Sequence, residues 1–77
     1  MDFEEYGWLV YNIHIEYKKL YNSDDDFVMY LITTYGFEPE VEEGSNRFTG
    51  NYVIVNQSKF NFCLLKHANG PKHFNYT

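Results

Sequence analysis

The sequence predicts an α+β fold, a helical hairpin packed on a three-stranded antiparallel sheet. Three observations predict it: an N-terminal apolar stripe with helical spacing, a second helical window closed by a glycine, and strand-like alternation after that glycine. In the first segment Phe3, Tyr6, Val10, Ile13, Tyr17 and Leu20 recur at steps of three and four, as on one face of an amphipathic helix. Asp2 with Glu5 three residues later has the form of a capping box, with Asp in place of Ser or Thr. A strand pattern competes, because Leu9, Tyr11, Ile13, Ile15 and Tyr17 alternate with Asn12, His14, Glu16 and Lys18. Gly7 also weakens a helix by about 1 kcal/mol relative to Ala. Helix is preferred because its pattern covers eighteen residues and the strand pattern nine.

Asn22, Ser23, Asp24, Asp25 and Asp26 form a loop that ends in an N-cap, with Ser23 capping and Asp26 at the third helical position. A second helix over residues 24–35 follows, with Phe27, Tyr30, Leu31 and Thr34 on one face and Gly36 as its C-cap. Residues 37–42 alternate Phe37, Pro39 and Val41 with Glu38, Glu40 and Glu42, and the proline confines this strand to an edge. Glu43, Gly44, Ser45 and Asn46 make a turn. Residues 48–55 and 60–66 then read as a second hairpin across Asn56, Gln57, Ser58 and Lys59. From Ala68 a polar tail begins, with a turn at Asn69, Gly70 and Pro71.

The 77 residues suffice for one domain, 1–77, and the 21% aromatic content supplies rings that can fill a small core. Cys63 stands alone, so no intrachain disulfide is expected, and the Cys and His residues lack metal spacing. No leader pattern and no apolar run of membrane-spanning length is read, so a cytoplasmic protein is expected. The sequons at Asn56 and Asn75 are then chance matches. Catalysis is not expected either: His14, His67 and His73 are scattered, and Cys63 between Phe62 and Leu64 reads as a small hydrophobe. No phosphate loop, HExxH or GxSxG is present. No cofactor or metal is expected, since Asp24, Asp25 and Asp26 lack the spacing of a calcium loop and read first as capping and solubilising groups.

Charge carries more information. The net charge is -5, but residues 2–43 hold all eleven acids against Lys18 and Lys19, a balance of -9, while residues 44–77 hold Arg47, Lys59, Lys66 and Lys72. A nucleic-acid binder needs a broad basic face, so direct nucleic-acid binding is not expected, even with Phe60 and Phe62 spaced for one sheet face. Asp24, Asp25, Asp26, Glu38, Glu40, Glu42 and Glu43 are the candidate partner-binding surface. Along a strand Glu38, Glu40 and Glu42 repeat at about 6.7 Å, a row of anions resembling a phosphate backbone. The plainer account is that these charges protect an edge strand from aggregation. Trp8, Tyr11 and Tyr35 are the candidate aromatic anchors, of residue types enriched at interface hot spots.

In length, acid-rich first half, Tyr and Phe content and lack of catalytic signals, the chain resembles the small acidic proteins that bacteriophages make early in infection to disable host machinery, some of them DNA mimics. The resemblance implies a non-enzymatic inhibitor in the cytoplasm of a bacterial host. It would occupy the basic groove of a DNA-binding protein or nucleic-acid enzyme, and it would often act as a dimer. Arg47, Lys59, Lys66 and Lys72 would then face the acids of a second copy or a different surface of the partner. The alternative is a protein–protein adaptor that uses an apolar helix or sheet edge and makes no reference to nucleic acid.

Overall fold

Asp2 starts the first helix, α1 (Phe3–Tyr21), by the capping box the sequence predicts. Its carboxylate accepts the Glu5 N–H at 2.8 Å, and Glu5 Oε1 accepts the Asp2 N–H at 3.1 Å. In the computed structural model, which describes residues 2–67, α1 is followed by α2 (Phe27–Tyr35), β1 (Phe37–Val41), β2 (Phe48–Ile54) and α3 (Gln57–His67). The tail from Ala68, with its expected turn and with Lys72 and His73, lies outside the described residues.

The α+β class holds, and the strand number is corrected. Among the described residues the sheet has two antiparallel strands, β1 and β2, and the segment expected as a third strand at 60–66 is helical. Asn56 is the reason. Its side chain accepts the Lys59 N–H at 3.0 Å and its carbonyl accepts the Phe60 N–H at 3.0 Å, so the expected turn at residues 56–59 is a helix N-terminus. Phe60, Cys63 and His67 then fall on one buried face at helical spacing.

The entry to α2 also differs from expectation. The Ser23 hydroxyl accepts the Asp25 N–H at 3.0 Å in a local turn, and Asp26 is the N-cap in a left-handed conformation, φ 62°. The helix therefore starts at Phe27 rather than at residue 24. It ends at Gly36, φ 71°, as predicted. Gly36 is also a junction: its carbonyl accepts both the Val55 and Asn56 N–H groups, and a Cβ there would lie 2.4 Å from the Asn56 oxygen.

The Val55 to Gly36 bond fixes the ladder's alternation, so the paired residues Pro39 and Tyr52 occupy a non-hydrogen-bonded position. The missing proline N–H therefore costs the ladder nothing. Beyond Pro39 the register shifts in a bulge on β2 around Gly50, φ 102°. Leu9, Ile13, Leu31, Phe37 and Cys63 are fully buried, and Tyr6 stacks on Tyr52 with centroids 4.9 Å apart. Phe37 and Phe60 meet edge to face at 5.5 Å and extend that ring cluster to α3.

Candidate functional site

The seven acids singled out by sequence are all exposed. On β1 the inward positions are Phe37 and Pro39, which leaves Glu38 and Glu40 on the outer face of the sheet. Phe27 stacks almost flat on Phe48, 6.4 Å between centroids at 6°. Phe27 follows directly on Asp26, and Phe48 directly on Arg47. This one contact therefore draws the loop of Asp24, Asp25 and Asp26 to the same end of the molecule as the turn that bears Glu42 and Glu43.

Several of these carboxylates have local partners. His14 Nε2 meets Asp24 Oδ1 at 2.6 Å and Lys18 Nζ lies 3.8 Å from Oδ2; that hydrogen bond from His14, with Lys18 behind it, holds the Asp24 carboxyl below its ordinary range. Glu40 accepts the Thr49 hydroxyl at 2.5 Å and the Asn51 amide at 3.1 Å, which lowers its pKa and clasps both sides of the Gly50 bulge. Glu42 accepts the Ser45 hydroxyl at 2.6 Å inside the turn. Glu40 is thus at once a surface charge and a brace of the bulge.

The three aromatic candidates separate. Tyr35 is 1% exposed and belongs to the core, so it is withdrawn as an anchor for a partner. Trp8 is half-buried and Tyr11 46% exposed, and their rings meet edge to face at 5.6 Å. Both line a shallow hollow of about 430 Å³ together with Phe3, Glu4 and Gly7. Phe3 and Gly7 escaped the sequence reading because Phe3 belonged to the core stripe and Gly7 counted only as a weakness. Phe3 is in fact 74% exposed, its ring laid against Gly50, where a Cβ would come within 2.6 Å of it.

A second constellation was not legible in the sequence. Glu16 reaches between the helices, and its Oε2 accepts the Tyr35 hydroxyl at 2.5 Å and the Tyr30 hydroxyl at 2.7 Å. Oε1 meets Lys66 Nζ at 2.8 Å and His67 Nε2 at 3.4 Å. Tyr35 also lies 3.1 Å from His67 Nε2, and the Asn12 amide donates to the His67 carbonyl at 3.0 Å. The sequence reads His67 as a solvated or capping histidine; solvation is corrected, because the residue is 5% exposed and sits inside this network. Burial disfavours the Glu16 carboxylate, but hydrogen bonds from Lys66, Tyr35 and Tyr30 outweigh it and bring its pKa down to about 2. Burial, and after it the hydrogen bond to Glu16, pushes the Tyr30 phenol up to about 12. Tyr35 is raised further for the same two reasons. With its oxygens occupied by three donors, Glu16 ties α1, α2 and α3 together.

The basic residues of the second half are partly spoken for. Lys66 belongs to the Glu16 network, and Lys59 Nζ donates to the Thr33 carbonyl near the end of α2 at 2.7 Å. Cys63 is buried, as its apolar neighbours in sequence led one to expect. Among the described residues no group of His, Cys, Asp and Glu is disposed to hold a metal ion, and no helix is long and apolar enough to cross a membrane. No protein-family model, no curated protein and no solved structure matches this chain.

Proposed function

We propose that the protein is a non-enzymatic binding protein that engages a basic partner through its acidic surface, of the kind a DNA-mimicking inhibitor of a host DNA-binding protein or nucleic-acid enzyme presents. The observation that carries this reading is the stack of Phe27 on Phe48, which gathers two acidic segments distant in sequence at one end of the molecule. Asp24, Asp25, Asp26, Glu42 and Glu43 are exposed there, with Glu38 and Glu40 along the adjoining sheet face. Concentrating like charge costs self-repulsion, and a complementary basic surface relieves it on binding while speeding encounter. Inhibition would follow by steric and electrostatic competition for the groove that otherwise holds nucleic acid.

The test is capture from bacterial lysate on immobilised protein, eluted in steps of rising salt, with eluted proteins identified by mass spectrometry. A DNA-binding protein released by salt, and lost when Asp24, Asp25, Asp26, Glu42 and Glu43 are changed to their amides, supports the reading. A partner that resists salt and ignores those substitutions overturns it. That result favours the adaptor reading, for which the exposed Val53, Phe62 and Leu65 are the specific observation.

A further inference from the structure

The first half of α1 holds a feature that the acidic surface does not explain. Gly7 lies in the second turn of a nineteen-residue helix, where glycine is disfavoured relative to alanine. Among the described residues nothing comes within 4 Å of a Cβ built there, so no contact with any of them requires its absence. The bare backbone is instead the floor of the hollow walled by Phe3, Trp8 and Tyr11, with Glu4 at its margin. The rings have neighbours: Trp8 and Tyr11 meet edge to face, and the exposed Phe3 lies with its ring against Gly50 in the bulge that Glu40 clasps.

Charge selects the occupant. Asp2, Glu4 and Glu5 cluster at this end of α1, and residues 2–17 contain no lysine or arginine. The helix N-terminus itself is not the attraction, because Asp2 already accepts the Glu5 N–H. Aromatic faces beside a carboxylate favour a flat, delocalised cation. A guanidinium stacks on an indole and offers a carboxylate two parallel N–H donors, which an ammonium does not. The geometry points to this hollow as a binding site for an arginine side chain carried on a basic segment of the partner, its head group over Trp8 and against Glu4, its stem over Gly7. The inference deepens the reading of a basic partner and rests on it for biological meaning, but the site can be tested without that partner.

Trp8 is the one tryptophan in the chain, so its emission and its indole N–H resonance report on this hollow. The full chain is titrated with the tripeptide acetyl-Gly-Arg-Gly-amide and, in parallel, with the citrulline analogue, which keeps the shape and loses the charge. A saturable change at Trp8 with the arginine peptide and none with citrulline is the expected result. Glu4→Gln should weaken that response by about tenfold, the scale of a charge-assisted hydrogen bond. Gly7→Leu, which fills the floor, should abolish it. The variant with Asp24, Asp25 and Asp26 all changed to Asn should retain it.

Equal responses to the two peptides, or a Glu4→Gln response equal to that of the parent, overturn the proposal. So does a response that vanishes when residues 24–26 are neutralised, because the attraction then belongs to that acidic loop. Trp8 emission that changes with protein concentration in the absence of peptide would give the hollow to a second copy, and emission that changes on removal of residues 68–77 would give it to the tail. Arginine binding at Trp8 with no basic protein captured from lysate would leave this site standing and remove the wider reading. Capture of a basic protein with an inert Trp8 would do the reverse.

Discussion

Glu16 falls in the polar half of the α1 pattern, where a solvated carboxylate costs nothing, yet it is the acid most deeply engaged by the fold. Three donors hold its carboxyl at about 2, below the ordinary 4.5. Because the folded value is the lower one, this contribution to stability is fully present above about 4.5 and is lost as pH falls toward 2. The shift corresponds to at most roughly 3 kcal/mol, a large part of the stability of a small domain. Glu16→Gln should therefore lower unfolding free energy by about 2–3 kcal/mol at neutral pH and flatten the decline of stability between about pH 5 and pH 2, read by urea denaturation at each pH. A variant that keeps the parent's acid slope would show that the network does not hold the helices. Tyr35→Phe removes the hydroxyl shared by Glu16 and His67 and should cost about 1–2 kcal/mol by the same measurement. Nothing in the local sequence marks these residues, since their partners lie 14 to 32 positions away or more.

At the scale of elements, α1 was legible because its apolar stripe and capping box extend over eighteen residues and outweigh a strand alternation that covers nine. The 60–66 segment was not, because Phe60, Phe62 and Leu64 fit a strand as well as Phe60, Cys63 and His67 fit a helix. The choice falls to Asn56 and to burial, since the helix hides Phe60, Cys63 and His67 and leaves Phe62 and Leu65 outside. Asn56→Ala should thus cost about 1 kcal/mol through the lost cap. Gly36→Ala should cost more, about 2 kcal/mol or above, because it combines a left-handed backbone with a Cβ 2.4 Å from the Asn56 oxygen. Thermal unfolding followed by circular dichroism ranks the two variants. The opposite order would mean that the junction relaxes more easily than its geometry implies.

For the whole molecule, the acidic end is assembled by folding, so its effect belongs to long-range electrostatics rather than to any single contact. Changing Asp24, Asp25, Asp26, Glu42 and Glu43 to amides should leave the circular dichroism spectrum unchanged. It should slow association with a captured basic partner by about tenfold or more at low salt and reduce the salt dependence of the on-rate, while the off-rate moves little. Stopped-flow or surface-based kinetics at two ionic strengths reads this directly. A change confined to the off-rate would place those residues in short-range contact instead. The same scale explains Tyr35: its residue type marks it as a candidate anchor, and only the packing of α2 against Glu16 of α1 and His67 of α3 buries it.

The order of charge along the chain, the α1 helix with its cap, the C-cap at Gly36, the edge character of the Pro39 strand and the α+β class are properties of short windows. There the backbone preferences and apolar spacing of neighbouring residues point one way, and the sequence by itself determined them. Tertiary structure decided the rest: that residues 57–67 coil rather than extend, that Glu16 turns inward to three donors, and that two acidic segments share one end. Each depends on which surfaces meet across long stretches of chain. Burial and hydrogen-bond satisfaction at those meetings outweigh local preferences that are nearly balanced.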